Sequence, residues 1–310
     1  VIKIKIEFDL TQIWNIEKVD GIKNIKENVI EITTVSKKKY IIKTKKDLKR
    51  IHIEFDLLSF LKLRGLPVTP PIKTINDKLF YNDGIENYCL YEYLEGENLY
   101  YNYTDNNKEV LKKYGIALGK LHKQLTEYKF NENTIEDMNI EESIFNWAIP
   151  EILKNQTESR IKEIIREIED KMKSFYAELP KQLIHRDPNN QNILFRNGEL
   201  SGFIDFELCM KGFKAFDICY MMTGILMEGF AETINRSKWL DLISEITEGY
   251  ETENKIEKME KESFWFMFIS IQLTFAAYFY SINNKEIAEI NLNGLYWIFD
   301  NKNKILEKIK

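Results

Sequence analysis

One histidine, two aspartates and one asparagine stand at spacings that suit the handling of phosphate. His185-Arg186-Asp187 is followed, five residues after the aspartate, by Asn192. A second aspartate, Asp205, comes thirteen residues later in the apolar string Gly202-Phe203-Ile204-Asp205-Phe206-Glu207. Phosphoryl transfer asks a protein for little covalent help, because its transition state is stabilised by positioning and by neutralising charge on the phosphates. It needs a carboxylate beside the acceptor hydroxyl, oxygen ligands for Mg²⁺, a cation on the nucleotide phosphates and a backbone edge for the base.

Asp187 is the candidate catalytic carboxylate. Asn192 and Asp205 are the candidate metal ligands, since Mg²⁺ takes one or two protein oxygens and leaves the rest to phosphate and water. Lys43, ending the apolar run Tyr40-Ile41-Ile42, is the candidate cation, and Glu54 on the following helix is expected to pair with it. Asp56, two residues away, competes with Glu54 on helix phase alone. A chain of this composition contains His-x-Asp-x4-Asn by chance roughly 0.01 times. Singly, these residues have plainer readings: a core histidine, an Asp-Pro-Asn turn and a solvated lysine run. His185 is assigned a structural role, bonding backbone near Asp205.

These residues must be positioned by two kinds of element. Val29–Thr33 and Lys39–Lys43 alternate apolar and polar residues around the turn Ser36-Lys37-Lys38, which predicts a hairpin, with a first strand at Trp14–Val19. A helix is expected from about Lys46 to Leu63, stopped by Gly65 and Pro67, and then strands at Lys78–Tyr81 and Tyr88–Tyr93. Beyond Gly96 the pattern becomes long helices near 107–127, 158–178, 217–229, 235–249, 257–282 and 285–309. The predicted organisation is therefore α+β, with a small antiparallel sheet lobe at 1–95 and a mainly helical lobe at 96–310.

The bulk properties fit that organisation. The chain has 310 residues, of which 44% are hydrophobic, enough for a sizeable core. A net charge of −5 leaves no basic footprint for nucleic acid. Residues 1–95 hold 17 basic and 14 acidic side chains and residues 96–310 hold 27 and 35, an acidic balance that suits a cationic acceptor. Cys89, Cys209 and Cys219 form no metal or disulfide pattern. Residues Val1–Asp9 alternate like a strand and lack a secretory pattern, so a cytoplasmic location without membrane contact is expected. The uncharged run Ser263–Ile282 is long enough to span a bilayer, but is expected to be a buried helix.

On these motifs the chain resembles the aminoglycoside phosphotransferase and choline kinase family, whose fold is that of the protein kinases. Its His-Gly-Asp-x4-Asn segment appears here with Arg186 in place of glycine, and its Ile-Asp-Trp/Phe-Glu segment as Ile204–Glu207. Asp217 falls where the family has a structural aspartate opening the next helix. The stretch Leu179–His185 resembles the lead-in of bacterial members, including type II homoserine kinases. The resemblance implies ATP or GTP as phosphate donor with Mg²⁺. It implies an adenine edge at the Glu92 carbonyl and Leu94 amide, and apolar walls at Ile41, Leu194 and Ile204. It also implies a nucleotide loop at Gly21-Ile22-Lys23-Asn24, with Asn28 as an alternative register. Only eleven residues separate Asp205 from Asp217, and no Ala-Pro-Glu segment follows, so no peptide platform is expected.

The acceptor is therefore expected to be a small molecule bearing a hydroxyl. An aminoglycoside would call on carboxylates such as Glu141, Glu142 and Glu207; a quaternary amine would call on an aromatic cage from Trp147, Trp265 and Trp297. Helix surface and core aromatics are the plainer readings of both sets. Homoserine or a sugar stays open. The competing reading is a kinase-fold protein, like spore-coat relatives, that binds nucleotide or serves structurally without turnover.

Overall fold

A computed structural model describes residues 9–99, 103, 107–130, 135–156 and 158–309, so the strand-like reading of Val1–Asp9 lies almost wholly outside the described residues. The chain divides into two compact units. One comprises Val1–Glu97 with Leu194–Glu207, and the other Asn98–Ile193 with Leu208–Lys310.

The first unit is built on a five-stranded antiparallel sheet. Its strands are β1 (Val19–Lys26), β2 (Val29–Thr34), β3 (Lys39–Lys45), β4 (Tyr81–Asn82) and β5 (Asn87–Glu92), in the order β1-β2-β3-β5-β4. Period-two alternation sends Ile30, Ile32, Tyr40, Ile42, Tyr88 and Leu90 to one face, where Leu10 and Trp14 cover them. Those two residues belong to α1 (Leu10–Trp14), capped by the Asp9 side chain on the Thr11 amide and ended by Asn15 at φ 52°. The expected first strand at Trp14–Val19 is thus displaced: the Asp9-capped helix takes in Trp14, residues 15–18 are neither helix nor strand, and β1 begins only at Val19. On the other face Ile41, Cys89 and Tyr91 meet Ile51 of α2 (Leu48–Leu63), whose first turn is capped by Asp47. The expected strand at Lys78–Tyr81 shrinks to β4, because Thr74 and Lys78 close a turn on one another through a 2.8 Å backbone bond.

The second unit is mainly helical. It contains α3 (Asn107–Glu127), α4 (Ile140–Glu142), a π segment (Ser143–Ala148), α5 (Ile149–Asn155) and α6 (Ser159–Glu178). Then come α7 (Lys214–Glu228), α8 (Thr233–Glu251), α9 (Lys258–Ser281), α10 (Lys285–Asp300) and α11 (Lys302–Ile309). No helix was expected over residues 140–155; there Pro150 occupies the first turn of α5, where its missing N–H costs nothing. The single helix expected over 285–309 breaks at Asn301. Helices α3 and α8 cross closely: a Cβ on Gly115 would lie 2.2 Å from the Ile246 carbonyl oxygen, and one on Gly249 would lie 2.2 Å from that of Lys112. Helix α9 is apolar enough to cross a membrane, yet 78% of its most apolar stretch is buried inside the protein, as expected of a core helix.

Short strands carry the chemical strings between helices. β6 (Gln182–Ile184) pairs antiparallel with β9 (Met210–Gly212), and β7 (Ile193–Arg196) with β8 (Glu199–Phe203).

Candidate active site

In the first unit, β3 presents Ile41, Lys43 and Lys45 on the face that α2 covers. Lys43 Nζ lies 3.1 Å from Oδ1 of Asp205. Lys45 is buried, and its ammonium lies 2.8 Å from Glu54 of α2 and also bonds Glu207. Glu54 further accepts the Tyr91 hydroxyl at 3.2 Å. Burial pushes the Lys45 pKa down, but the two carboxylates outweigh it and hold the value above the ordinary lysine range. Glu54 therefore pairs with Lys45 rather than with Lys43 as expected. Two residues of strand span about 6.6 Å, so a carboxylate on the second turn of α2 serves the strand's end and leaves Lys43 to Asp205. Asp205 itself adopts φ 70°, an uncommon conformation for a residue other than glycine.

The other predicted nucleotide residues of this unit divide. Glu92 ends β5 opposite Tyr40, and Tyr93 donates its amide to the Lys39 carbonyl at 3.3 Å. Leu94 and Leu194 close over Gly202, and Phe195 and Glu97 exchange backbone bonds of 2.8 Å. Ile204 lies directly before Asp205, after the end of β8. Gly21 and Asn24, expected in a loop, instead lie within the β1 ladder, opposite Thr33 and Ile30. The hairpin tip is at Glu27-Asn28, the alternative register, because Lys26 already pairs with Val29.

In the second unit, Asp217 on α7 is fully buried and organises the catalytic string. Its carboxylate accepts the backbone amides of His185 at 2.8 Å and Arg186 at 2.9 Å, and the Nε2–H of His122 at 3.0 Å. Nδ1 of His122 then accepts the Tyr250 hydroxyl at 2.9 Å. Nδ1 of His185 accepts the Asp187 amide. Arg186 adopts φ 71°, in the left-handed region that glycine favours. Its guanidinium lies 6.0 Å from the Phe216 ring centre.

Asp187 is held by short polar side chains. Oδ1 accepts the Asn189 amide at 2.8 Å, and Oδ2 accepts the Asn192 amide at 2.9 Å. Burial, together with the charge of the Asp187 carboxylate, raises the pKa of the Tyr220 phenol. Tyr220 lines a cavity of about 410 Å³ that lies wholly in this unit. That cavity is walled by α7, α9 and α10, with Phe275, Phe279, Ile287 and Ile290 among its apolar residues and Glu228 at its edge.

The residues proposed for acceptor recognition lie elsewhere. Glu207 is engaged by Lys45, and Glu141 and Glu142 lie on α4, where Glu142 accepts the Asn139 side chain. Trp265 is buried in the core with its indole donating to the Ile298 carbonyl, and the half-buried Trp297 packs edge-on against Trp239. Lys45, His122 and Tyr220 were missed. Tyr220 was findable, since it lies three residues after Asp217 and so on the same side of a helix.

A model of the phosphotransferase enzyme family matches residues 22–241. A homoserine kinase of Zymomonas mobilis is 28% identical over 212 residues, covering 64% of this chain and 62% of that protein. A homoserine kinase of Bartonella henselae is 26% identical over 182 residues, 56% of this chain and 53% of its own length. The chain thus spans less than two thirds of the length of these relatives. Among solved structures, a microcompartment-associated aminopropanol kinase superposes with a TM-score of 0.71 at 12% identity, covering 92% of this chain and 94% of that one. An amicoumacin kinase in complex with AMP-PNP and Ca²⁺ gives 0.67 at 16% identity, covering 95% and 90%. At such identities the likeness shows the fold, which is the kinase-like one predicted.

Proposed function

Because the chain belongs to the phosphotransferase enzyme family, we propose that it moves the γ-phosphate of ATP to a hydroxyl of a small molecule. The observation that carries this reading is the setting of Asp187. Its carboxylate is fixed by Asn189 and Asn192, and Asn189 lines an apolar cavity together with Tyr220. In that setting Asp187 orients the acceptor hydroxyl and takes its proton as the oxygen attacks the γ-phosphorus in line.

The other residues have supporting roles. Lys43 is the cation for the nucleotide phosphates, and Lys45 with Glu54 and Glu207 fixes the end of β3. Glu92 and Leu94 offer the base its backbone edge, and Ile41, Leu194 and Ile204 its apolar walls. Asn192 would offer Mg²⁺ an amide oxygen and Asp205 a carboxylate oxygen, each a hard donor of the kind it takes. Asn192 spends its Nδ2 on Asp187, which leaves Oδ1 for a cation. When bound with the nucleotide, Mg²⁺ neutralises charge on the phosphates. The enzyme is read as cytoplasmic.

Homoserine and aminopropanol, for which two of the similar kinases are named, are amino alcohols, and the acidic balance of residues 96–310 favours a cationic acceptor here too. The test is thermal stabilisation by ATP and GTP with and without Mg²⁺, followed by nucleotide turnover against a panel of hydroxylated amines and sugars. Magnesium-dependent stabilisation with phosphate transfer to one acceptor class is the expected result. Nucleotide binding without transfer to any acceptor or to water would favour the silent-kinase reading.

A further inference from the structure

From the cavity beside Asp187 we infer that Gly224 and Glu228 select the acceptor. The class they admit is a monocationic alcohol with a bulky apolar body and no carboxylate. This rests on the kinase reading and adds to it the identity of the acceptor.

Tyr220, Gly224 and Glu228 follow one another at four-residue intervals on α7, so they form one stripe along the helix. All three line the cavity. A helical rise of 1.5 Å per residue puts the ends of the stripe about 12 Å apart along the axis. One end carries Tyr220 and lies by Asn189, which lines the cavity and bonds Asp187, so the acceptor hydroxyl must come there. The other carries the one ionised side chain that lines the cavity among the described residues, Glu228.

Gly224 occupies the middle of this stripe, well inside a fifteen-residue helix, where glycine is a poor choice. Close packing does not explain it. Cβ atoms built on Gly115, Gly249 and Gly294 would collide with neighbours, but one on Gly224 meets nothing within 4 Å. The missing side chain keeps the cavity open.

Size and charge then define the occupant. On the scale at which a cavity of ~150 Å³ takes one benzene, 410 Å³ takes roughly sixteen heavy atoms. An acceptor the size of homoserine fills about half of that. The aromatic run Tyr220, Phe275 and Phe279, with centroid spacings of 5.8 and 6.5 Å, offers an extended apolar wall. An α-amino acid would meet Glu228 with its ammonium but would bring a carboxylate to a lining that holds no cation among the described residues, and an unpaired charge in an apolar site is strongly disfavoured. A polycationic aminosugar would find one carboxylate for several ammonium groups.

The test uses the full chain with ATP and Mg²⁺ and four probes: homoserine, aminopropanol, kanamycin and the aryl amino alcohol norephedrine. Norephedrine is expected to show a kcat/KM at least about tenfold above homoserine. Glu228→Gln and Gly224→Leu are each expected to raise its KM by about tenfold or more, with the KM for ATP and acceptor-independent ATP hydrolysis unchanged. Calorimetric binding of norephedrine to the wild-type chain and to Glu228→Gln gives the same comparison without turnover. Preference for homoserine, or an acceptor KM indifferent to both substitutions, overturns the inference and leaves the kinase reading standing. Absence of norephedrine binding also overturns it. Failure to bind nucleotide or to transfer phosphate to any probe counts instead against the kinase reading itself.

Discussion

Nε2 of His122 on α3 lies 3.0 Å from Oδ2 of Asp217 on α7, and both side chains are fully buried. Asp217 also accepts the amides of His185 and Arg186, so one carboxylate ties two helices to the two residues preceding Asp187. A buried charge without such donors would be severely destabilising, and here three donors surround it. The position of the His185–Asp187 segment is thus set by side chains that lie outside it.

Asp217→Asn places an amide nitrogen where only an acceptor serves and leaves at least one buried donor unpaired. Stability should fall on the order of 3 kcal/mol. Urea unfolding checks this; a change below about 1 kcal/mol would contradict the role given to Asp217.

Asp187→Ala should lower phosphate transfer by about 10²–10⁴-fold, the usual contribution of a positioned base. Nucleotide binding should persist, because the residue acts on the acceptor. Single-turnover kinetics beside equilibrium binding of a nucleotide analogue separate the two effects, and unchanged turnover would refute the assignment.

The two lysines of β3 should respond differently. Lys45→Met strands the buried Glu54 and should reduce stability by about 3 kcal/mol. Lys43→Met removes a cation from a part-exposed pair, so stability should change by less than about 1 kcal/mol while nucleotide affinity falls. Denaturation midpoints and nucleotide titrations of both variants check the contrast, and equal stability losses would undo it.

Stability should also respond to alkaline pH. The folded pKa of Lys45 lies above its unfolded value near 10.5, so its contribution is complete below that pH and is lost as pH rises through the folded value. For Tyr220 the unfolded phenol ionises near pH 10 while the folded one keeps its proton, which also removes stability upward from there. Denaturation midpoints contributed by these groups should be flat from pH 7 to about 10 and fall above it, and Lys45→Met should show a shallower fall. A Lys45-dependent gain in stability on raising the pH from about 8 to 10.5, as a lowered folded pKa would give, would contradict the assignment.

Much of this was legible in the residues, and the exceptions have physical causes. Period two placed β2, β3 and β5, and the spacing of Asp187, Asn192 and Asp205 identified the polar string, because such patterns report local geometry. Partner choice did not follow from pattern. Lys43 and Lys45 share a face of β3, and only the register of α2 against the strand gives Glu54 to Lys45. Likewise Gly21 and Asn24 read as a loop, yet a two-residue turn at Glu27-Asn28 absorbs them into a ladder. His122 was hidden because its partners, Asp217 and Tyr250, are about a hundred residues distant in sequence.

The smaller unit is discontinuous in sequence, since Leu194–Glu207 completes what Val1–Glu97 begins. During synthesis at ~5–20 residues per second, the sheet must wait roughly 5–20 s for the segment that brings Asp205 and Glu207 to its lysines. Until then Lys43 lacks Asp205 and Lys45 has Glu54 without Glu207, so the nascent sheet is unfinished. A fragment ending at residue 97 would be frozen in that state, so the unit is an autonomous module in space but not in the order in which the cell makes it.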